Sequence, residues 1–265
     1  MPQDPAFTSP GRFWKGNIHT HSTLSDGMRS AGHVCATILG AELHAPATAL
    51  GEIRHILAVG LPLDFAPNAP GETGPDLAAR ALAAGAFVAI PHPGWYALTT
   101  EDANSIPGAH AVEVYNHTSQ LRTERGDGVY LADQLLAQGR RIGLTAVDDA
   151  HFACDDAFGG WLMVRAEANE PEPLLAALKA GRFYVTQGPL IEDIARDAEH
   201  VAVRCSAATG IMALGRGSRA AQSVTPGQRQ ARLPIAALRA AGGFARVVVA
   251  DAAGRHAWSN PVYFG

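Results

Sequence analysis

Residues 16–27 of this 265-residue chain read GNIHTHSTLSDG, and the interpretation of the whole sequence starts from this stretch. His19 and His21 lie one residue apart, so on a β-strand their side chains point to the same face. Two imidazoles side by side at a strand end can bind one metal ion, and the carboxylate of Asp26 can bend back from the following loop to join them. The stretch therefore predicts a metal site whose other ligands must come from elsewhere in the chain.

The composition is that of a globular enzyme, with 47% hydrophobic and 17% charged residues and a formal net charge of −4. Lysine occurs only at positions 15 and 179, which gives no electrostatic case for a nucleic-acid or anionic-membrane surface. No apolar run reaches the ~20 residues that span a bilayer, and residues 1–5 lack the features of a secretory signal. Cys35, Cys154 and Cys205 have no paired spacing, which indicates a reducing compartment. We expect a cytoplasmic protein that takes a small-molecule substrate and binds neither nucleic acid nor membrane, with homo-oligomerisation left open.

Short apolar strands alternate with helical segments over the first two-thirds of the chain, a pattern typical of a parallel sheet that is either open or closed into a barrel. The predicted strands are Asn17–His21, Thr37–Leu43, His55–Leu61, Ala86–Ile90, Ala111–Tyr115 and Arg141–Val147. The predicted helices are Pro75–Ala84, Gly128–Gln138 and Pro171–Ala180. After Gly188 the pattern changes to short alternating strands, at His200–Ser206, Ile211–Leu214, Ala231–Ala236 and Arg246–Ala250. We therefore predict an α/β unit over 1–188, its sheet open or closed into a barrel, and a small β domain over 189–265.

Metal-type side chains recur where the predicted strands end. They are His19, His21, Glu42, His92, His117, Asp149 and His151. The carboxyl ends of parallel strands converge on one face, so these side chains are expected to meet there. Imidazole together with carboxylate suits Zn, Mn or Fe, and the lack of cysteine among these residues argues against a structural zinc site. We expect two or three divalent ions. The other histidines receive structural roles by default, with His33 and His44 kept open as ligands.

The set of motifs resembles the PHP (polymerase and histidinol phosphatase) superfamily of metal-dependent hydrolases. The matching pieces are residues 19–27 (HTHSTLSDG), 40–43 (GAEL), 90–93 (IPHP), 112–117 (VEVYNH) and 148–151 (DDAH). Residues 178–189 (LKAGRFYVTQGP) and 257–262 (AWSNPV) are similar to members of its carbaryl hydrolase-like branch. The resemblance implies an α/β fold, a distorted (β/α)7 barrel with the metal ions at its C-terminal rim, followed by the small β domain.

The resemblance also implies which residues hold each ion. His19, His21, Glu42 and Asp149 would hold the first. Glu42 would bridge to the second, which His92 and His117 would also bind. Asp26 and His151 would belong to the third ion. Asp148 competes with Asp149 for the first position, and the Asp-x-His spacing favours Asp149.

The chain departs from the family between Asp26 and Glu42. Members of the family carry another strand there, which ends in Thr-Asp-His or a similar tripeptide and supplies a histidine to the third ion. Here only Met28–Ala41 intervenes, which is too short for a helix, a strand and a loop. The third position would lack a ligand unless His33 or His44 replaces it.

The resulting hypothesis is a phosphoesterase that acts on a small phosphate ester. A hydroxide shared by two ions would attack phosphorus, with Asp149 and His151 as catalytic residues and His151 as the group that protonates the leaving group. Arg54, Arg122 or Arg125 would hold a phosphate oxygen, and Tyr115 and Trp95 would line the pocket. Two alternatives stay open: a hydrolase of carbamates, amides or esters with the same metal centre, and a degenerate barrel that binds metal without turnover.

Overall fold

The computed structural model describes residues 4–34, 38–66 and 68–264, and the strands in these ranges form two sheets. The strands are β1 (Arg12–Gly16), β2 (Gly40–Ala45), β3 (Arg54–Val59), β4 (Phe87–Ile90), β5 (Ala111–Asn116), β6 (Gly143–Val147), β7 (Trp161–Ala166), β8 (Phe183–Thr186), β9 (Ile191–Arg196), β10 (His200–Leu214), β11 (Ala220–Pro234), β12 (Phe244–Ala250), β13 (His256–Ser259) and β14 (Val262–Tyr263). The helices are α1 (Pro5–Thr8), α2 (Ala31–Val34), α3 (Gly74–Ala83), α4 (Thr100–Asn104), α5 (His117–Thr123), α6 (Val129–Ala137), α7 (Pro171–Lys179) and α8 (Ala236–Gly242). Within the described ranges, no helix has both the length and the apolar character that a membrane crossing requires.

The first sheet has five strands in the order β2-β3-β4-β5-β6. Its β4–β5 and β5–β6 pairs are parallel, whereas β2–β3 and β3–β4 are antiparallel. Only residues 46–53 connect β2 to β3, and a parallel pair needs a crossover of about a dozen residues or more, so that connection enforces an antiparallel pair. The predicted parallel sheet is therefore present only across β4, β5 and β6.

The strand pairs of the described residues do not close into a ring. The protein has a mixed α/β fold with two sheets, and the predicted (β/α)7 barrel is not confirmed. One isolated parallel bridge, between Thr20 and Ala150, places the first motif beside the end of β6. This bridge is what brings the first and last of the predicted ligand motifs together.

The second sheet has nine strands, all joined by antiparallel pairs, in the order β1-β7-β8-β13-β12-β10-β11, with β9 on β10 and β14 on β12. The separate strands predicted at His200–Ser206 and Ile211–Leu214 are wrong, because β10 runs through both. Register shifts between Arg204 and Gly210 interrupt the side-chain alternation, as a β-bulge does. The domain boundary after residue 188 stays a prediction, and strands from both sides of it share this sheet.

The predicted strand Asn17–His21 is also wrong, because β1 ends at Gly16. Asn17 turns the chain at this point: its side-chain oxygen accepts the His19 amide hydrogen at 3.0 Å and its side-chain nitrogen donates to the Gly160 carbonyl at 2.9 Å. Asparagine side chains commonly compete with sheet hydrogen bonds in this way. The following residues run beside the 149–151 segment, where the His21 amide donates to the Ala150 carbonyl at 2.9 Å.

The helix predictions are confirmed to within one residue at each end. Helix α3 begins after Thr73, whose hydroxyl accepts the Asp76 amide hydrogen, and it is followed by Gly85 at φ 89°, a conformation that glycine adopts without steric cost. Helices α6 and α7 match their predicted ranges equally well. The strand predicted over Thr37–Leu43 is β2, shifted to Gly40–Ala45, and Thr37 itself lies outside the described residues.

Strand β12 is buried on both faces and joins two hydrophobic cores. Phe244 and Val248 pack into the larger core, which also contains the five-stranded sheet and the buried faces of α3, α6 and α7. Val247 and Val249 point the other way, into a second core formed with β9, β10 and α8. This division follows from the two-residue alternation of side chains along a strand.

Arg246 of β12 generates a prediction about stability. Its buried guanidinium donates from Nε to Oδ1 of Asp133 at 2.7 Å and from Nη2 to Oδ2 at 2.8 Å, which ties β12 to α6. Asp133→Ala leaves the buried guanidinium without its half-exposed carboxylate partner, so we expect the free energy of unfolding to fall by about 2 kcal/mol in urea denaturation. Asp64→Ala, at an exposed position, is the control and should leave the midpoint unchanged. Equal midpoints for both variants would contradict this role of the pair.

Candidate metal centre

Imidazoles and carboxylates from five chain segments meet at one place in the structure. They come from the turn after β1, from β2, from β3, from the residues after β4 and from the residues after β6. Within the described part of the chain, donor atoms close enough to share an ion form four groups: His19, His21 and Asp149; His19, Glu42 and His92; His21, Asp26 and His151; and Glu42, His44 and His55.

The first group is buried and its donor atoms face one another. Oδ1 of Asp149 lies 3.2 Å from Nε2 of His19 and 3.0 Å from Nε2 of His21. None of these three atoms has a hydrogen-bond partner among the described residues, although all are shielded from solvent. Buried polar atoms without partners are rare in native proteins. Two imidazole nitrogens and a carboxylate oxygen suit a Zn, Mn or Fe ion, so this donor set fits a divalent metal.

Glu113 fixes the orientation of His19 from behind. This fully buried carboxylate lies 2.7 Å from His19 Nδ1 through Oε1, and its Oε2 accepts the His92 backbone hydrogen at 2.6 Å and an Asn116 side-chain hydrogen at 3.0 Å. A histidine that donates through Nδ1 presents Nε2 to a metal, and carboxylates are common partners for such histidines. The sequence reasoning missed Glu113, although one acidic residue inside the apolar strand 111–115 is a signal that could have found it.

Glu42 belongs to both the second and the fourth group. Its Oε1 lies 2.7 Å from His55 Nδ1 and 2.8 Å from His92 Nε2, and these two nitrogens are 3.3 Å apart. The carboxylate also approaches the first group, at 3.4 Å from His19 Nε2 and 3.6 Å from His21 Nε2. The Glu42 carboxylate thus approaches the histidines of the first group as well as His55 and His92, as a bridging ligand would. His55 had been given a structural role by default, yet it is aligned with His44 across the β2–β3 pair and meets Glu42 directly.

The third group is more exposed and shares a residue with the first. His21 Nδ1 lies 2.9 Å from Asp26 Oδ1, and His151 Nε2 lies 3.5 Å from Asp26 Oδ2. The Asp26 side chain is 71% exposed. A neutral imidazole has one lone pair, so His21 can give Nε2 to the first group while donating Nδ1–H to Asp26, but it cannot ligate through both nitrogens. Asp26 and His151 are then the two ligands left to the third group.

His117 lies outside all four groups. It is the first residue of α5, and its Nδ1 is 2.8 Å from the Tyr115 hydroxyl. Asn116 points into the site instead, and its side-chain nitrogen lies 3.1 Å from Asp149 Oδ2. The helix begins directly after β5, so residue 117 leaves the alternation that would have carried it to the other ligands. His33, kept open as a ligand, is exposed on α2 and likewise joins none of the groups.

The arginines predicted to hold phosphate have other surroundings. Arg54 is buried and donates from Nη2 to Oδ1 of Asp102 at 2.7 Å and from Nη1 to the carbonyl of the same residue at 2.8 Å. Arg122 is exposed on α5, and Arg125 is exposed and donates to the Trp95 carbonyl at 3.4 Å. Half-buried Tyr115 stacks against Trp258 of β13, with ring centroids 6.4 Å apart.

Asp148 and Asp149 divide their tasks. Asp148 accepts the backbone hydrogens of residues 158, 159 and 160 at 2.8–2.9 Å, and burial raises its pKa. It therefore anchors the loop before β7. Asp149 faces the histidines, as the Asp-x-His spacing predicted. Burial alone would raise the pKa of Asp149, but the nearby imidazoles of His19 and His21 outweigh it and hold the pKa at about 2, so this carboxylate is ionised at neutral pH.

His92 and Asp149 both have a backbone conformation that residues other than glycine rarely adopt. Their φ angles are 25° and 54°. Non-glycine residues at positive φ cost of order 1–3 kcal/mol and cluster at functional sites, because the surrounding structure must hold them there. The backbone N–H of His92 donates a hydrogen bond to the Glu113 carboxylate, and the backbone N–H of Asp149 donates to the His19 carbonyl at 2.9 Å. These hydrogen bonds stabilise the two positive-φ conformations.

Comparison with solved structures identifies proteins of similar fold. One of these structures is the crystal structure, at 2.20 Å resolution, of a two-domain protein from Bacteroides vulgatus ATCC 8482 that contains a predicted PHP-like metal-dependent phosphoesterase. The two chains are 16% identical, the match covers 92% of this chain and 94% of the other, and the TM-score is 0.51. No family model matches the chain, and no curated protein matches it. The likeness shows a similar overall fold, and the clusters of histidine and carboxylate described above could bind a metal ion.

Glu113 yields a prediction about metal affinity. Glu113→Gln keeps the side-chain shape but removes the charge that supports His19, so we expect zinc affinity to fall about 10- to 100-fold, as measured by competition with a chromophoric chelator. Glu172→Gln, at an exposed position on α7, is the control and should bind zinc like the unaltered protein. An unchanged affinity in Glu113→Gln would show that this carboxylate serves packing alone.

Proposed function

We propose that this chain is a metal-dependent hydrolase of the PHP type and that its substrate is a small phosphate ester. The observation that carries the proposal is the buried trio His19 Nε2, His21 Nε2 and Asp149 Oδ1, which approach within 3.0–3.2 Å without hydrogen bonds. The similarity in fold to a protein that contains a predicted PHP-like metal-dependent phosphoesterase supports it.

The chain would be an opened and shortened form of the PHP barrel. The parallel strands β4, β5 and β6, extended by the Thr20–Ala150 bridge, are the part that supports this view. Residues 189–265 would act as a β-rich buttress, with the Arg246–Asp133 pair and the β12 side chains as its main attachments. Similarity to the carbaryl hydrolase-like branch belongs to this proposal and rests on residues 178–189 and 257–262.

Two resident ions fit the donor set best. His19, His21 and Asp149 would hold the first, and Glu42, His55 and His92 the second, with Glu42 between them. His55 takes the place that the sequence reasoning gave to His117. A third ion would have Asp26 and His151 alone once His21 is committed to the first, and Asp26 is largely exposed. Zn, Mn and Fe are all compatible with imidazole and carboxylate ligands.

Bound divalent ions supply Lewis-acid chemistry and activate water at neutral pH. The chain's own residues bind, orient and transfer protons. His151 would protonate a leaving group from Nε2 in its doubly protonated form, because its Nδ1 lies 2.7 Å from the Asp149 carbonyl and its Nε2 lies 3.5 Å from the largely exposed Asp26 carboxylate. Glu113 and Asn116 keep His19 and Asp149 in position.

A carbamate, amide or ester hydrolase is the second candidate. It is favoured by the surroundings of the arginines: Arg54 is paired with Asp102, and Arg122 and Arg125 are exposed. A phosphatase needs cationic groups that converge on its substrate, whereas a carbonyl substrate needs none. The half-buried ring of Tyr96, whose centroid lies 5.5 Å from that of His92, would suit an apolar substrate.

The discriminating experiment is a substrate panel with protein purified without chelator. It comprises p-nitrophenyl phosphate, bis-p-nitrophenyl phosphate and a naphthyl carbamate, with metal content determined by elemental analysis. Turnover of a phosphate ester supports the main proposal, and turnover of the carbamate alone supports the second. Asp149→Ala should lower the rate at least about 100-fold, since even residues that only support a metal ligand are worth 10–100-fold, while exposed Asp155→Ala should not. Metal binding without turnover of any substrate would leave a non-catalytic metal-binding protein.

His55 and His117 offer a direct test of the second ion's ligands. His55→Ala should lose one of two bound ions in elemental analysis, because a donor 2.7 Å from Glu42 is removed. His117→Ala should retain both, because its imidazole contacts Tyr115 instead. The reverse result would assign His117 to the metal and return His55 to a structural role.

A further inference from the structure

His44 lies beside the candidate metal centre, but it is a ligand of neither of the two proposed ions. It is aligned with His55 across the β2–β3 pair, and the two rings stack in parallel, with centroids 4.1 Å apart and an interplanar angle of 11°. Glu42 precedes it by two residues on β2 and so projects from the same face of the strand. The two histidines and the carboxylate therefore form a compact patch on one face of β2 and β3.

The two oxygens of Glu42 face different partners in this patch. Oε1 is engaged by His55 and His92, at 2.7 and 2.8 Å. Oε2 lies 3.4 Å from Nε2 of His44. Donor atoms bound at about 2.1 Å to one tetrahedral zinc ion are about 3.4 Å apart, so this second contact has the spacing of a shared ion.

His44 differs from the inner donors in its exposure to solvent. The His44 side chain is 56% exposed, whereas those of Glu42 and His92 are buried. An ion held at His44 would therefore keep solvent among its ligands and would exchange readily. Imidazole-rich sites favour zinc, copper or nickel over magnesium, which prefers oxygen ligands.

We propose that Glu42 Oε2 and His44 Nε2, with His55 as a shared donor, form an outer position for one additional divalent ion of the zinc class. The outer position draws on Glu42 and His55, which the inner position also needs. Occupation of the outer position therefore weakens the inner one, and an excess of zinc acts as an inhibitor. The inhibition rests on the proposed hydrolase function, whereas the binding of the extra ion does not.

The test counts bound zinc by native mass spectrometry as the zinc concentration rises. The unaltered chain should acquire one weakly bound ion beyond its tightly bound ions. His44→Phe, which keeps an aromatic ring on His55 but removes the donor, should lack that ion and keep the tightly bound ones. His200→Ala is the matched control, since His200 lies beside Asp197 and Glu199 but belongs to no group of three donors among the described residues.

The same stoichiometry in His44→Phe and the unaltered chain would overturn the proposal, as would an extra ion that appears equally with magnesium. His44→Gln, a second variant without the aromatic ring, guards against a loss that reflects altered packing: both variants must lose the ion. A circular dichroism melt checks that both are folded.

A kinetic arm separates this inference from the proposed function. If a substrate of the panel is turned over, inhibition by excess zinc should require at least about 10-fold more zinc in His44→Phe than in the unaltered chain, which corresponds to the loss of one ligand. Inhibition at the same zinc concentration in both would contradict the competition between positions. If no substrate is turned over, the hydrolase proposal fails, while the difference in zinc count still decides the outer position.

Discussion

The hydrogen bonds of Glu113 are the interaction on which the rest of the site depends. A fully buried carboxylate is costly unless its oxygens are satisfied, and Glu113 accepts from the His19 ring, the His92 backbone and the Asn116 side chain. These partners belong to three separate segments: the turn after β1, the residues after β4 and the end of β5. Satisfying one buried charge thus fixes the relative positions of the segments that carry the metal-type side chains.

The sequence predicted the meeting of five metal-type side chains better than it predicted the strands around them. His19, His21, Glu42, His92 and Asp149 do lie together, because each sits where a sheet-forming segment ends or faces the site, whatever the direction of the neighbouring strand. The strand at 17–21 was wrong because one Asn17 side chain turns the backbone, a local competition that apolar periodicity does not register. The helices α3, α6 and α7 were predictable because proline or glycine marks their ends, whereas the other helices of the described residues were not predicted.

His55, Glu113 and His117 show where single-residue reasoning fails. His55 looked like one more histidine in an apolar strand, and only the antiparallel pairing of β2 and β3 brings it to Glu42. His117 follows a buried strand, as other metal-type side chains do, but α5 begins at this residue, and its ring lies against Tyr115. Glu113 lies inside the motif of residues 112–117, which was interpreted for His117 alone. Each of these positions depends on a tertiary relation that the spacing of residues along the chain does not encode.

The burial of β12 on both faces has a consequence for how the molecule loses its structure. Alternate side chains of this strand belong to two different hydrophobic cores. Displacing the strand from one core therefore also exposes apolar side chains of the other core. The two sheets are then expected to melt as one cooperative unit, not in sequence. Any ion bound among the histidines stabilises only the folded form, so its binding energy is distributed over the whole chain, and even the hairpin of β10 and β11 gains in resistance to unfolding.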